Sequence, residues 1–311
     1  MLYFIYGQDS YRSRKKIEEI VGEYKRIHMS GLNFMFVDAK EREFEDFLNS
    51  FKISPMFAEK KLVILKNVFS NKNFQEKFLE NFKKIKDIKD IIIIFEEEKA
   101  DERTKLFKTL KKEAKCQEFS FLSEANLKKW IENEFKRRGA KIDFQAENFL
   151  LNIVGNNLWQ MENEIKKLVC FKKGQIIKKE DIDLHIKPKI ENDIFKTIEA
   201  LAAKNKKQAL FYIHNHIESG DNEIYILSMI AYQFRNLLIV KELIDKGTPH
   251  YAIAQKSGLN PFVVKKTFYL CNKFSLEQLK KIYKKIFQTD LDIKSGKIHS
   301  ELALDMFIAE I

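Results

Sequence analysis

Five consecutive apolar residues, Ile91–Phe95, interrupt an otherwise heavily charged stretch of this chain. A strand with one wet face alternates apolar and polar side chains, so an unbroken run of this length reads as a strand covered on both faces, as in a parallel sheet between helices. Leu2–Tyr6 and Leu62–Leu65 have the same character, and Phe34–Val37 is a further candidate. Between the runs lie segments with helical spacing. Gly7 ends the first run, and Gln8, Asp9 and Ser10 can cap a charged helix over 11–24. Glu43–Phe51 carries Phe44, Phe47, Leu48 and Phe51 at i, i+3, i+4 and i+7. Phe74–Ile85 is amphipathic, Thr104–Lys112 is the next helix, and Cys116–Phe119 can close the sheet. Repeated strand–helix units of this kind predict an α/β, doubly wound parallel sheet.

From about Ser123 the strand signal stops. Helices are predicted over Leu127–Arg138, capped by Ser123 or Asn126 and ended by Gly139, then over Phe144–Val154 and Leu158–Phe171. This small helical unit ends near Pro188. Beyond it, long helices are predicted over Ile194–Ala203, Lys206–Ile217, Glu223–Lys246 and Leu276–Asp290. The third of these is so rich in apolar residues that it must bury more than one side. The expected organisation is therefore an α/β domain over 1–121, a small all-α domain over 122–188 and a larger all-α domain over 189–311. Four Pro and 10 Gly in 311 residues leave little room for flexible linkers.

A formal charge of +11 favours a polyanionic neighbour, although the lysines are scattered at helix-surface spacing and serve equally as a solvated face. The three cysteines are far apart and form no CxxC pair, so neither a disulfide framework nor a zinc site is suggested. No uninterrupted apolar run approaches the roughly 18 residues that span a bilayer, which predicts a soluble, cytoplasmic protein with no membrane partner.

A strand, a Gly turn and a helix at the start of a doubly wound sheet is the place for a phosphate-binding loop, GxxxxGK[ST]. Counting from Gly7, the positions for Gly, Lys and Ser/Thr hold Arg12, Ser13 and Arg14. The lysine for the terminal phosphate and the hydroxyl for magnesium are thus out of place. The strand over 62–65 runs into Lys66 and Asn67 instead of acids. No cofactor or metal is expected. Glu96, Glu97 and Glu98 follow the apolar run and could suggest a metal-holding strand end, but without a phosphate loop they read as a solvated connection. His214 and His216 are two apart on a helix and point in different directions. Within Ile253–Thr267, Ala254, Gly258 and Val264 have helix–turn–helix spacing. The second helix would open with Asn260, Pro261 and Phe262, placing a large apolar group where base-reading polar groups are wanted, so a tight helix corner is the competing reading.

Met56 and Phe57 stand in a short connection, after Ser54 and Pro55 and before Ala58-Glu59-Lys60-Lys61. Two readings are open from the residues alone. The pair either caps the sheet's core or is exposed, at a cost, for use as a contact.

Several segments together resemble the delta-subunit family of the bacterial DNA polymerase III clamp loader, a degenerate branch of the AAA+ superfamily. They are YFIYGQDSYRSRKKIEEI, SPMFAEKKLVIL, KADERTKLFKTLKK, GNNLWQMENEIKKL, NDIFKTIEAL, NPFVVKK and the C-terminal FSLEQLKKIYKKIFQTDLDIKSGKIHSELALDMFI. Met56 stands where Leu is commoner in that family. The resemblance implies an AAA+ clamp-binding domain, a small helical lid and a helical collar for oligomerisation. It implies no catalysis and no ATP hydrolysis by this chain. The implied partners are the sliding clamp (beta subunit), whose ring the family opens, ATPase and delta-prime loader subunits, and primer-template DNA within the complex. It selects Met56 and Phe57, with Pro55 beside them, as the clamp-gripping residues. An active AAA+ ATPase and a helix–turn–helix DNA-binding protein are the alternatives from other classes.

Overall fold

A computed structural model describes residues 1–28, 33–52, 60–98, 100–186 and 190–311. They form two compact units, Met1–Phe121 and Leu122–Ile311. In the first, β1 (Leu2–Tyr6), α1 (Ser10–Ile27), β2 (Phe34–Asp38), α2 (Phe44–Lys52), β3 (Leu62–Lys66), α3 (Lys72–Glu80), α4 (Phe82–Asp87), β4 (Ile91–Phe95), α5 (Lys105–Glu113) and β5 (Lys115–Glu118) follow in order. The strands form one parallel sheet in the order β2-β3-β4-β1-β5. The chain leaves β1 for the far edge, returns through β3 and β4, and passes β1 to finish at β5. Strand order therefore reverses at β1, and the crevice beyond its carboxyl end is where open α/β sheets take ligands.

Both faces of the central strands β3, β4 and β1 are dry, which explains the continuous apolar runs. Ile92 and Ile94 point, with Phe4, Tyr6, Val63 and Leu65, into a core closed by Phe44 and Phe47 of α2, Phe74 and Phe78 of α3, Ile85 of α4 and Phe107 of α5. Ile93 and Phe95 point to the other side, with Ile5, Leu62 and Ile64, against Ile17 and Tyr24 of α1. The predicted single helix over 74–85 is two helices. Asn81 separates them, its backbone N–H returning to the carbonyls of Leu79 and Lys77. Edge strand β5 is exposed throughout, as its sequence KCQE requires.

The second unit comprises α6 (Glu124–Arg137), β6 (Lys141–Ile142), α7 (Phe144–Val154), α8 (Leu158–Lys172), β7 (Ile176–Ile177), α9 (Lys179–His185), α10 (Ile190–Ala202), α11 (Lys206–Glu218), α12 (Glu223–Asp245), α13 (His250–Ser257), α14 (Pro261–Cys271), α15 (Leu276–Lys294) and α16 (Ser300–Glu310). The region is not purely helical: β6 and β7 pair in parallel through Lys141–Ile176 and Ile142–Ile177. Ser123 caps α6, its hydroxyl accepting from the N–H of Asn126. Arg138 ties α6 to α8 by donating to Glu134 at 2.7 Å and Glu162 at 3.0 Å.

Helix α12 organises the rest. It packs against α10, α13, α14, α15 and α16 and buries Ile226, Leu227, Ile230, Phe234, Leu237 and Val240. Among the described residues it is the one helix long and apolar enough, by length and composition, to cross a membrane. Counting uninterrupted runs misses this, because polar residues such as Gln233 and Asn236 punctuate it, and both of these are buried. The break predicted near Pro188 lies outside the described residues.

Aromatic contacts anchor helix α2: the Phe47 ring lies 5.6 Å from Phe44, 6.3 Å from Phe74 and 6.2 Å from Phe78. Its side chain is fully buried. Phe47→Ala should therefore lower unfolding stability by about 3–5 kcal/mol, the usual cost of an emptied aromatic site. Chemical denaturation measures this directly, and a loss below about 1 kcal/mol would mean that α2 is not part of the core.

Candidate functional site

The turn at the carboxyl end of β1 is closed by the protein itself. Gly7 adopts φ +133, a conformation open to glycine, and a side chain there would collide with the Phe119 backbone. Phe119 N–H donates to the Tyr6 carbonyl at 2.8 Å, and Asp9 N–H donates to the Phe119 carbonyl at 2.9 Å. A helix N-terminus is an anion site, because its first N–H groups lack intrahelical acceptors. At α1 the anion is the buried Asp9 carboxylate, which accepts the Arg12 backbone N–H at 3.0 Å and the Arg12 Nε–H at 2.7 Å. Arg12 also donates to the Ser120 carbonyl and lies 5.6 Å over the Phe119 ring. Ser13 is buried, its hydroxyl donating to the Ser10 carbonyl at 3.2 Å.

The carboxyl ends of β3 and β4 are cross-linked by charge. Glu97 bridges Lys66 at 2.6 Å and Arg14, whose Nε lies at 3.0 Å. Burial pushes the Glu97 carboxyl up, but the Lys66 ammonium and Arg14 guanidinium outweigh it and hold the group below the usual range. Glu98 pairs with Lys40 at 3.0 Å. Asn67 sits in the left-handed region at φ 58 and donates to both Asp38 carboxylate oxygens, at 3.0 and 3.1 Å.

Glu96 departs from the solvated connection expected for 96–98. It is 3 % exposed and accepts the Phe69 backbone N–H at 3.1 Å, capping the 3-10 turn over Val68–Ser70. Burial pushes its carboxyl up to about 7. Nothing local distinguishes it from Glu97 and Glu98, since its partner lies 27 residues upstream.

The structure separates the other candidates. His214 faces Asp305 of α16 at 3.0 Å, whereas His216 contacts Asp221 at 3.0 Å. Among the described residues no group of three His, Cys, Asp or Glu could hold a metal ion. The helix–turn–helix spacing is a real corner, with Gly258 ending α13 at φ 69. Val264 is buried in the core of the second unit, Ala254 packs against that core while partly buried, and Phe262 is half-buried.

Pro55, Met56 and Phe57 lie outside the described residues, and so does the Phe51 side chain. Their flanks are firmly held. The Tyr24 hydroxyl donates to the Lys60 carbonyl at 2.7 Å, Lys61 N–H donates to Asp90 at 2.9 Å, and Lys61 returns its carbonyl to Ile91 N–H at 2.9 Å. On the other side, Phe44 and Phe47 fix α2. The connection thus leaves and re-enters rigid elements, at the amino end of the strands.

Two sequence models match, "DNA polymerase III, delta subunit" over residues 3–120 and "DNA polymerase III delta subunit, C-terminal domain" over residues 191–311. The DNA polymerase III subunit delta of Bacillus subtilis (strain 168) is 24% identical over 320 residues, covering all of this chain and 92% of the relative. The probable DNA polymerase III subunit delta of Aquifex aeolicus (strain VF5) is 21% identical over 281 residues, covering 86% of this chain and 78% of the relative. Among solved structures, the Bacillus subtilis DNA clamp loader delta protein aligns with a TM-score of 0.74 at 25% identity, over 99% of this chain and 94% of that one.

Two outcomes follow from the turn and its acids. Adding magnesium-ATP should leave the melting temperature unchanged; an ATP-dependent rise that Arg14→Ala abolishes would show that the turn still takes a phosphate. Glu96 has a raised folded pKa, so its contribution to stability is full below about pH 4.5 and is lost as the pH rises to about 7. Glu96→Gln keeps the acceptor for Phe69 and removes the titration. It should be more stable than wild type at pH 8 by on the order of 2–3 kcal/mol, with the gap closing near pH 4.5. Parallel stability curves for the two proteins between pH 4.5 and 8 would refute the assignment.

Proposed function

The chain belongs to the DNA polymerase III delta-subunit family, and we propose that within the clamp loader it grips the sliding clamp through Met56 and Phe57, beside Pro55, and opens the ring for loading onto primed DNA. As a clamp-loader subunit it is non-catalytic, and the chemistry that drives loading is left to its ATPase neighbours. The observation that carries this reading is the closed turn at β1, where the Asp9 carboxylate and the Phe119 backbone fill the place of a bound phosphate. A loader fold without its phosphate turn is suited to binding and not to hydrolysis.

The gripping pair is supported by the held flanks of 53–59. Held flanks shorten the range over which apolar side chains between them can be presented, which lowers the entropy cost of docking. The working division is 1–121 for clamp binding, 122–188 as a lid and 189–311 as a collar that joins the ATPase and delta-prime subunits. Exposed Phe211, Phe287, Leu291, Leu302 and Met306 on α11, α15 and α16 support the collar assignment, since apolar groups of this size are usually covered in an assembly. Primer-template DNA inside the loader accounts for the basic excess, and the cytoplasm is the place of action.

Changing Met56 and Phe57 together to Ser tests the grip. Truncating an aromatic anchor costs about 2 kcal/mol or more, roughly a thirty-fold loss of affinity. Clamp pull-down should disappear while the unfolding midpoint stays within about a degree of wild type. A variant that melts many degrees lower would return the pair to the core, and one that holds the clamp at wild-type affinity would place the grip elsewhere.

A further inference from the structure

The second unit contains two adjoining clefts that the clamp-gripping role does not use. The larger, of about 630 Å3, lies among α7, α9, α10 and α14, with Phe149, Asn152, Phe195, Lys196, Lys266 and Tyr269 in its lining. The smaller, of about 320 Å3, lies between the end of α10, α15 and the C-terminus, and receives Lys204, Lys281 and Lys285. Lys273, just beyond α14, lines both. The acids in the linings are Asp183, Glu199 and Glu310, the last already paired with Lys285. The lysines therefore outnumber the acids in the two clefts, which meet at Lys273.

The larger cleft combines this charge with flat apolar faces. Lys266 Nζ lies 4.7 Å from the Phe262 ring centre and 5.4 Å from that of Phe195. Burial pushes its ammonium below the ordinary lysine range, and a partly dehydrated cation gains more from a phosphate than one fully in water. Tyr269 follows at i+3 on α14 and is 66 % exposed, so its ring is accessible from the cleft. Lysines along a path with aromatic faces between them is the chemistry of single-strand binding, in which the backbone follows the charges and the bases stack. A duplex keeps its base faces stacked on each other and offers none to Tyr269. An acidic peptide would satisfy the lysines but leave the exposed Tyr269 ring without a planar partner.

We infer that these clefts form a track for single-stranded nucleic acid, with a base stacked on Tyr269 in the larger cleft and successive phosphates meeting Lys266, Lys273 and Lys281. The clamp-loader reading supplies the source of the strand, the single-stranded template beside a primer; the track itself rests on the cleft residues. Helix α14 is the one that the helix–turn–helix spacing singled out. It meets nucleic acid here through its flank and the lysine beyond its end, with no groove to read and no sequence preference.

The test is fluorescence anisotropy of a labelled oligothymidylate titrated with the full chain at low and rising salt, alongside clamp pull-down. Tyr269→Ala should weaken oligonucleotide binding about 5- to 30-fold, within the range for loss of one stacked base. Lys273→Gln with Lys281→Gln should lower the slope of log affinity against log salt by about 1.4, the share of two phosphates on a single strand. Tyr269, Lys273 and Lys281 are exposed, so all variants should keep the wild-type melting temperature and retain the clamp. The track is overturned if Tyr269→Ala and the double lysine variant bind the oligonucleotide as wild type does. It is also overturned if polyglutamate displaces the label as effectively as unlabelled oligothymidylate. Failure of the wild-type chain to hold the clamp, with the oligonucleotide results as expected, would remove the clamp reading and leave the track standing.

Discussion

Everything in the first unit depends on keeping both faces of β3 and β4 away from water. Val63 and Leu65 face one core while Leu62 and Ile64 face the other, and Ile92 to Phe95 divide in the same way. Burying one such side chain is worth about 1.5–3 kcal/mol, so a helix missing from either side would leave several of these contributions unrealised. Helices on both faces require crossover connections, and parallel crossovers set the reversal of strand order at β1. The position of the degenerate turn thus follows from the apolar pattern of strands that take no part in it.

At that turn the protein supplies from its own chain what a bound nucleotide would otherwise bring. A phosphate would balance the N–H groups at the start of α1; the Asp9 carboxylate accepts that of Arg12, and the Arg12 guanidinium offsets its charge. A metal–phosphate pair would hold the ends of the central strands to the first helix; here the Arg14–Glu97–Lys66 contacts join α1, β4 and β3.

The parts of this arrangement that were legible in the sequence are those written in local periodicity. The strands, the parallel sheet and α7 follow from apolar runs, spacing and capping residues. The split between α3 and α4 was hidden because Phe74, Phe78, Phe82 and Ile85 are all buried, so the apolar spacing continues across Asn81. Strands β6 and β7, at two residues each, are too short for any period to register. Glu96 was misjudged because its acceptor role depends on a turn far away in sequence. Gly7, Arg12, Ser13 and Arg14 read as a departure from the phosphate motif, but that Asp9 and Phe119 close the turn needs the tertiary contact between β1 and the segment after β5.

In a parallel sheet the amino and carboxyl ends of the strands lie on opposite edges. The held flanks of 53–59 are at the amino edge, whereas the Arg14–Glu97–Lys66 cluster is at the carboxyl edge. A five-residue strand spans about 16 Å, and β3 and β4, each with four of its five residues buried, join the two edges. A load applied at the amino edge is therefore carried along two hydrogen-bonded, tightly packed struts to a braced far end. Such a domain transmits displacement with little give, as a crowbar does, and the compliance of any assembly built on it has to reside in its joints.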